Sequence, residues 1–167
     1  MAKQLPSKQA DYDSLLKFHN EEVDKRKQSR LIFESKDIKF GISKHGAACR
    51  LVNPELGFNT SVVKVFIRVI PPMSKDGNHR HREEAILHVL RGRGYSVIDG
   101  KRFDWKVGDT ICVPPWSWHQ HFNTDSKEPA RLIAGTNSRE MRLLAFSEFE
   151  QGEEKSWKEE DVRTDLF

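Results

Sequence analysis

The sequence is poor in the features that mark several classes of protein. It contains only two cysteines, Cys49 and Cys112, which lie far apart, so neither a thiolate zinc site nor a disulfide framework is expected. No apolar run approaches the roughly twenty residues of a membrane span, and the first residues lack the apolar segment of a secretory signal. Charge of one sign is not in large excess, since 28 Lys plus Arg oppose 25 Asp plus Glu. We therefore expect a cytoplasmic protein whose main partner is neither a membrane nor a nucleic acid.

A chain of 167 residues is long enough for one domain with a buried core. Residues 11–30 contain no Gly or Pro, and their few apolar residues precede a strongly charged stretch, which predicts a helix outside the main core. We divide the chain into an N-terminal helical extension at 1–36, a β-barrel at 37–150 and a C-terminal tail at 151–167. The tail is charged and contains Trp157. The tail can form a terminal helix, a strand or a partly disordered end.

From residue 37 onward the pattern changes to short β-type runs separated by turn residues. Asp99-Gly100 is a strong signal for a two-residue hairpin between two of these runs. Many short strands with regular turns predict an all-β sandwich or barrel, and small barrels can hold a site in their mouths. The predicted strand regions are Asp37–Ile42, Ser61–Ile70, Ala85–Leu90, Tyr95–Ile98, Lys101–Trp105, Val107–Pro114 with its Gly-Asp turn, Arg131–Ala134 and Met141–Phe146.

Three histidines form a candidate metal site split between two strands. His79 and His81 are separated by one residue, so their side chains lie on the same face of an extended strand and can hold one ion. His119, from a distant strand, is the best candidate for a third imidazole. Three imidazoles on one side of a metal leave its other side open for substrate, oxygen or water.

Two sequence blocks around these histidines resemble the two motifs of the cupin superfamily. The first block has the pattern His-x-His followed by Gly, and the second has Pro, His and Asn in the order of the family. The matching residues are His79, His81, Gly92, Pro114, His119 and Asn123, with Trp116 at a position where glycine is usual. The resemblance implies a single cupin barrel, a jelly roll-like double-stranded β-helix, whose metal is held by the three histidines.

Within the cupins, the chain is most similar to the gentisate and 1-hydroxy-2-naphthoate ring-cleaving dioxygenases. Ala85 stands where many cupins place a glutamate ligand, and this subgroup also has a small residue there. The resemblance implies Fe(II) held by three histidines, a small aromatic substrate and dioxygen. These enzymes are typically about twice as long, with two modules. Leu87 replaces their substrate-binding arginine, so a less acidic ring is as plausible as gentisate unless Arg82, Arg139 or Arg142 substitutes.

Several further residues are candidates for the site. His121 has the parity of His119, so it is either a catalytic base for a substrate hydroxyl or a polar lining residue. Trp116 and Trp118 flank His119 and could stack on a flat ring, although core packing explains them equally well. Arg82 is a candidate for substrate binding. The other histidines, His19, His45 and His88, are interpreted as structural. Glu83 and Glu84 could supply a fourth ligand if the loop bulges, but they are interpreted as solvated carboxylates at the rim.

The function that these observations favour is a non-haem Fe(II) dioxygenase that cleaves a C–C bond of a hydroxylated aromatic compound. Two alternatives stay open. One is an oxygen-independent isomerase, decarboxylase or lyase of the same fold, since three imidazoles also accept other first-row divalent metals. The other is a cupin that binds a small ligand without turnover, since a fold alone implies no reaction. The resemblance also implies a homodimer, because single-module cupins often exchange terminal strands.

Overall fold

The part of the chain that the structure describes folds into eleven short strands and two helices. A computed structural model describes residues 8–60 and 62–163. The helices are α1 (Lys8–Lys27) and α2 (Ser138–Leu143), with single 3-10 turns at Ser35–Asp37, Pro54–Leu56 and Glu159–Asp161. The strands are β1 (Phe40–Ile42), β2 (Ala47–Val52), β3 (Lys64–Ile70), β4 (His79–His81), β5 (Ala85–Arg91), β6 (Arg93–Ile98), β7 (Lys101–Lys106), β8 (Thr110–Val113), β9 (His119–Asn123), β10 (Ala130–Thr136) and β11 (Phe149–Gln151).

The strands form two antiparallel sheets that face each other. One has the order β1-β2-β3-β10-β5-β8, and the other has the order β11-β4-β9-β6-β7. Side chains from both sheets meet in one core, where Trp105 of β7 joins residues of β3, β5, β8 and β10. The all-β prediction is confirmed. Within the described part of the chain, no helix is long and apolar enough to cross a membrane.

Alternation of side chains decides which residues of β5 enter the core. Ala85, Leu87 and Val89 are buried, whereas the residues between them are exposed, as the period of two requires. His88 is one of the exposed residues, which agrees with its interpretation as a residue outside the site. Gly92 then turns the chain into β6 in a left-handed conformation, with φ of 88°. A side chain there would also collide with Ala130, which lies 2.9 Å from the position of a Cβ.

The structure describes residues 8–36 of the N-terminal extension and residues 151–163 of the tail. The predicted N-terminal helix is present as α1, and its side chains from residue 11 to residue 21 are exposed. In the tail, Trp157 is buried against Ala47, Ile67 and Val69 on the outer side of the six-stranded sheet. The division at residues 36 and 150 stays a prediction. Residues 1–7 and 164–167 at the two ends, and Ser61 at the start of one predicted strand, lie outside the described residues.

One predicted strand is wrong. The apolar run 141–146 lies in α2 and the turn after it, and Leu143, Leu144 and Phe146 are exposed. β10, which ends just before this run at Thr136, is already paired on one side with β3 and on the other with β5. The run therefore has no free sheet edge beside it. The prediction also missed β2, because its Ala-Ala-Cys-Arg sequence has no regular apolar alternation.

Candidate metal centre

The three predicted histidines converge at the junction of two neighbouring strands. β4 and β9 are antiparallel, and their register places His79 directly opposite His119. His81 follows on the same face of β4, and the candidate ligand atoms of the three imidazoles all lie within 4.8 Å of one another. His79 and His119 are buried, and His81 is half-buried. The sequence thus identified a real cluster of three imidazoles.

Each of these imidazoles is held by a backbone carbonyl two residues away. The Nδ1 atoms of His79, His81 and His119 lie 2.9, 2.8 and 2.9 Å from the carbonyl oxygens of Gly77, Glu83 and Ser117. A carbonyl oxygen can only accept, so each Nδ1 carries the proton and each Nε2 keeps its lone pair. This is the tautomer that a metal requires, and the carbonyl contact also fixes the orientation of the ring. The donor set fits a first-row divalent metal.

Burial keeps these three rings neutral. Desolvation lowers the pKa of His119 to about 3, and it lowers the pKa values of His79 and His81 as well. A neutral imidazole can bind a cation without first losing a proton. The cluster is therefore ready to accept a metal at neutral pH.

His121 belongs to a buried hydrogen-bond chain. The register of β6 and β9 places Ser96 opposite His121, and Ser96 Oγ lies 2.8 Å from His121 Nδ1. Trp105 Nε1 donates to the same Oγ at 3.0 Å. The Ser96 hydroxyl accepts from the indole and still has its own proton and a second lone pair, so it can donate to His121 Nδ1 or accept from it, and both neutral tautomers of His121 fit this hydrogen-bond chain. Complete burial lowers the pKa of His121 well below its usual value, so the ring is neutral.

The sequence analysis missed a fourth imidazole, that of His45, which stands against His79. The two ring centroids are 3.7 Å apart, and both rings line the same cavity. Arg68 Nη2 donates to His45 Nε2, and Arg68 Nη1 donates to buried Asp76 at 2.6 Å. The guanidinium has no acceptor, so His45 must carry its proton on Nδ1. That Nδ1 atom is buried and has no hydrogen-bond partner among the described residues.

A signal for this missed network was present in β3. Arg68 is the one charged residue in the otherwise apolar run 65–70, and a buried guanidinium needs an acid or another acceptor. The run predicts a partner, but the sequence does not say that Asp76 and His45 supply it. Only the folding of residues 45–46 over β3 brings them together.

A cavity of about 700 Å³ adjoins the histidines. Its apolar wall includes Phe40, Ile42, Phe66 and Leu87, and Phe149 of β11 lies beside His79 with the ring centroids 5.7 Å apart. This volume is in the range of sites for small molecules. The cavity therefore connects the three imidazoles to a space that can hold a small flat ligand.

Glu83 corrects one expectation from the sequence. The side chain was expected to be a solvated carboxylate, but it is buried and lines the cavity. Its Oε1 accepts a hydrogen bond of 2.8 Å from Ser147, and its Oε2 lies 3.6 Å from His81 Nδ1. Glu83 thus stands on the protonated side of the His81 ring, where it reinforces the orientation that the backbone carbonyl sets.

The three residues predicted to bind substrate lie on the side of β4 that faces away from the three histidines. The Arg80 guanidinium stands 4.4 Å from the Trp116 ring and 4.9 Å from the Trp118 ring, and Arg82 stands 4.9 Å from Trp116. Arg82 also forms an ion pair with Glu148. Arg82, Trp116 and Trp118 do not occur among the described residues that line the cavity. Their contact with a substrate stays a prediction.

The backbone explains why glycine is usual at the position of Trp116. This residue has φ of 62°, in the left-handed region that a non-glycine residue adopts at a cost of about 1–2 kcal/mol. Trp116 N donates to the carbonyl of His81 at 2.7 Å, which ties the turn to the ligand strand. Its ring contacts the guanidiniums of Arg80 in β4 and of Arg82 just after it, and these contacts oppose the backbone strain.

Comparison with known proteins agrees with this architecture. The family described as "Cupin domain" matches residues 66–135. A gentisate 1,2-dioxygenase of Aquipseudomonas alcaligenes is 39% identical over 70 residues, which are 41% of this chain and 20% of that protein. An uncharacterized protein of Methanocaldococcus jannaschii is 36% identical over 87 residues, which are 50% of this chain and 67% of that protein. The chain spans about a fifth of the length of the dioxygenases that it matches first.

Comparison of this chain with solved structures gives the same fold. The structure of a salicylate 1,2-dioxygenase from Pseudoaminobacter salicylatoxidans, in its adduct with gentisate, has a TM-score of 0.60 and 17% identity. The match covers 81% of this chain and 35% of that chain. Two facing antiparallel sheets, three converging histidines and the matched domain lead to one assignment, and the chain belongs to the cupin superfamily.

Proposed function

We propose that this protein is a non-haem Fe(II) dioxygenase that cleaves a C–C bond of a hydroxylated aromatic compound with dioxygen. The observation that carries the proposal is the set of three neutral imidazoles, each with Nδ1 bonded to a carbonyl, beside a cavity of about 700 Å³. Several relatives are named as dioxygenases of gentisate, aminosalicylate and hydroxynaphthoate, which supports the reaction class.

His79, His81 and His119 would hold the metal through Nε2. Iron bound by three neutral ligands would keep its full charge and open positions for substrate oxygens and dioxygen, which are the chemistry that ring cleavage needs. The apolar wall with Phe66 and Leu87 would hold a flat ring and exclude water from it. An aromatic substrate is therefore part of the proposal.

Two further imidazoles flank the proposed metal ligands. His45 carries its proton on Nδ1, because Arg68 donates to its Nε2, and Ser96 contacts Nδ1 of His121, which leaves Nε2 of that ring for another partner. Both rings line the cavity. They would orient substrate oxygen atoms by hydrogen bonding, and His121 would act through Nε2 either as a donor or, in its other tautomer, as the predicted base.

The second candidate is an oxygen-independent metal enzyme of the same fold. Three imidazoles with no carboxylate ligand accept manganese, nickel and zinc as well as iron, and the chain covers only part of the dioxygenases. A cupin that binds a ligand without turnover is the remaining alternative. A homodimer and a cytoplasmic location also belong to this proposal.

Dioxygen uptake tests the proposal directly. The protein is loaded with Fe(II) without air and mixed with hydroxylated aromatic acids, phenols and hydroxyaryl ketones in aerated buffer. Uptake of one dioxygen for each ring-opened product is expected with at least one member. Bound iron without any uptake across the panel would contradict the dioxygenase and favour the oxygen-independent enzyme or the binding protein.

A further inference from the structure

One side of the cavity is formed by a row of residues on β3. Lys64, Phe66 and Arg68 are separated by two positions each, so they share the face of the strand that lines the cavity. Arg68 stands at the histidine end, where it contacts His45. Lys64 stands at the other end, because four residues of strand span about 13 Å. The Phe66 ring lies between them, with its centroid 5.1 Å from Lys64 Nζ and 5.7 Å from Arg68 Cζ.

The Lys64 end of the cavity carries an excess of positive charge. Arg50 and Arg142 also line this cavity. Burial is the largest influence that lowers the pKa of Lys64, the charges of Arg50, Arg142 and Arg68 follow, and the charge of Glu55 acts in the opposite direction. Lys64 is half-buried, whereas Arg50 and Arg142 are exposed. Glu55 is the one carboxylate that acts on Lys64 among the influences described for it, so the cations outnumber the acids here and a further anion would be favourable.

Only some of these cations have partners. Arg50 forms an ion pair with Glu55, and Arg68 forms one with Asp76. Within residues 8–60 and 62–163, neither Lys64 nor Arg142 forms an ion pair with an acidic side chain. Lys64 contacts only the face of the Phe66 ring among the partners described for it. Two positive charges at this end are left for a ligand.

The acidic residues that line the cavity are engaged elsewhere. Asp37 accepts a hydrogen bond of 2.5 Å from Arg30. Glu83 accepts a hydrogen bond from Ser147 and lies beside His81. Neither carboxylate neutralises Lys64 or Arg142.

We propose that Lys64 and Arg142 form a carboxylate-binding subsite at the end of the cavity remote from the three histidines. The ligand is an aromatic acid whose ring lies against Phe66 and whose carboxylate points away from the metal site. The orientation of its hydroxyl groups toward the histidines rests on the proposed function. The carboxylate contact itself rests only on the cavity and its charges.

Calorimetric titration of the full chain tests the subsite. The probes are 3,4-dihydroxybenzoate and 3-(3,4-dihydroxyphenyl)propanoate, each compared with its methyl ester, which has the same ring but no charge. Binding is measured without air on the iron-loaded protein and again after the metal has been removed with a chelator. The wild type is expected to bind at least one acid about tenfold more tightly than its ester, because a partly desolvated pair of opposite charges is worth about that factor.

Variants locate the charge that is responsible. Lys64→Met keeps the length of the side chain, and it is expected to remove most of the preference for the acid while changing the affinity for the ester less than about twofold. Arg142→Gln, made alone, is also expected to reduce the preference for the acid. Lys64→Arg is expected to retain that preference. Lys101→Met is the matched control, since this exposed lysine of β7 lies outside the described lining of the cavity.

The outcomes separate the two proposals. A wild type that binds neither acid more tightly than its ester overturns the subsite. The same holds if Lys64→Met weakens acid and ester equally, or if Lys101→Met has the same effect as Lys64→Met. A preference for the acid that survives metal removal, together with no dioxygen uptake, would leave the subsite intact and contradict the dioxygenase alone.

Discussion

The two ends of the barrel interior differ in chemistry although the same strands build both. At one end Ile70, Val89, Val113 and Leu132 pack into an apolar core with Trp105. At the other end imidazoles, a guanidinium and carboxylates surround a cavity. β3 runs through both regions, with Ile70 in the core and Lys64 at the cavity. The apolar end is filled by side chains, whereas the polar end encloses a cavity and includes buried polar atoms that have no partner among the described residues.

This difference has an energetic meaning. Buried polar atoms without a partner typically cost about 1–3 kcal/mol each. At the cavity end, His45 Nδ1 and Arg68 Nε are buried and unpartnered within the part of the chain that the structure describes. The cavity end is therefore less stable than its packing would allow, and an acceptor atom that reached these N–H groups would relieve part of that cost.

The largest effect is expected from breaking the buried ion pair of Arg68 and Asp76. Asp76→Asn leaves an uncompensated guanidinium in the interior, and it should lower the free energy of unfolding by about 3–5 kcal/mol. Arg68→Met should cost less, since the remaining carboxyl can take up a proton. Burial already raises the pKa of Asp76 to about 6. Urea denaturation of both variants would measure the difference, and equal losses would contradict this asymmetry.

The apolar end should respond as an ordinary core. Leu132 is completely buried, so Leu132→Ala should lower the free energy of unfolding by about 3 kcal/mol. Metal affinity should stay within about twofold, because the side chain lies in the core and not among the residues that line the cavity. Denaturation and metal titration on the same samples would test this separation. A large loss of metal affinity would show that the two ends are coupled.

Removal of one imidazole should affect the cavity end alone. His81→Ala is expected to weaken metal binding about a hundredfold or more, because one of three ligands is lost. The unfolding free energy of the metal-free protein should change little, since His81 is only half-buried. His88→Ala is the matched control on the exposed face of β5. Stoichiometric tight metal in His81→Ala would remove this residue from the site.

The pH dependence of stability gives a smaller and more specific effect. The pKa of His119 is about 3 in the folded chain and 6.5 without burial. Below pH 6.5 the unfolded chain binds this proton and the folded chain does not, so stability is lost as the pH falls from 6.5 toward 3. For the metal-free protein, His119→Gln should reduce the slope between pH 6 and pH 4 by about 1.4 kcal/mol per pH unit. An unchanged slope in His119→Gln would contradict the lowered pKa of His119.

The smallest effect is expected on the outer face of β4. Arg80→Met removes an ion pair with Glu150 and two contacts with tryptophan rings, which together are worth about 1 kcal/mol of unfolding free energy. Arg102→Met removes a similar pair of contacts on β7, far along the sheet from β4. Both variants should lose similar stability, but only Arg80→Met should speed metal release. Stopped-flow chelation would measure that rate.

The sequence predicted the parts of this molecule that depend on local patterns. The alternation in β5, the Asp99-Gly100 hairpin and the spacing of His79 and His81 all depend on neighbours in the chain. His119 was the best candidate for a third imidazole, and the resemblance to cupins supported its link to the other two, which periodicity alone could not establish. The family match confirms that resemblance.

The parts that the sequence did not predict depend on contacts between distant segments. His45 meets Arg68 and His79 only after β3 and β4 have paired in different sheets. Lys64 looks like an ordinary strand-end lysine until Arg142 of α2 is placed at the same cavity. The apolar run in α2 misled the prediction for the same reason, since local hydrophobicity does not tell whether a sheet edge is available.

The three residues of β4 carry opposite chemistry on their two faces. His79 and His81 face the cavity, whereas Arg80 faces the tryptophans and pairs with Glu150 of the opposing strand β11. A slip of one residue in the pairing would exchange the imidazoles for guanidiniums, because side chains alternate along a strand. No misregistered molecule could then assemble the three-imidazole cluster. If the cluster holds a metal as proposed, the metal content of a purified sample would count its correctly paired molecules, and metal uptake during refolding would time the pairing of β4 with its neighbours.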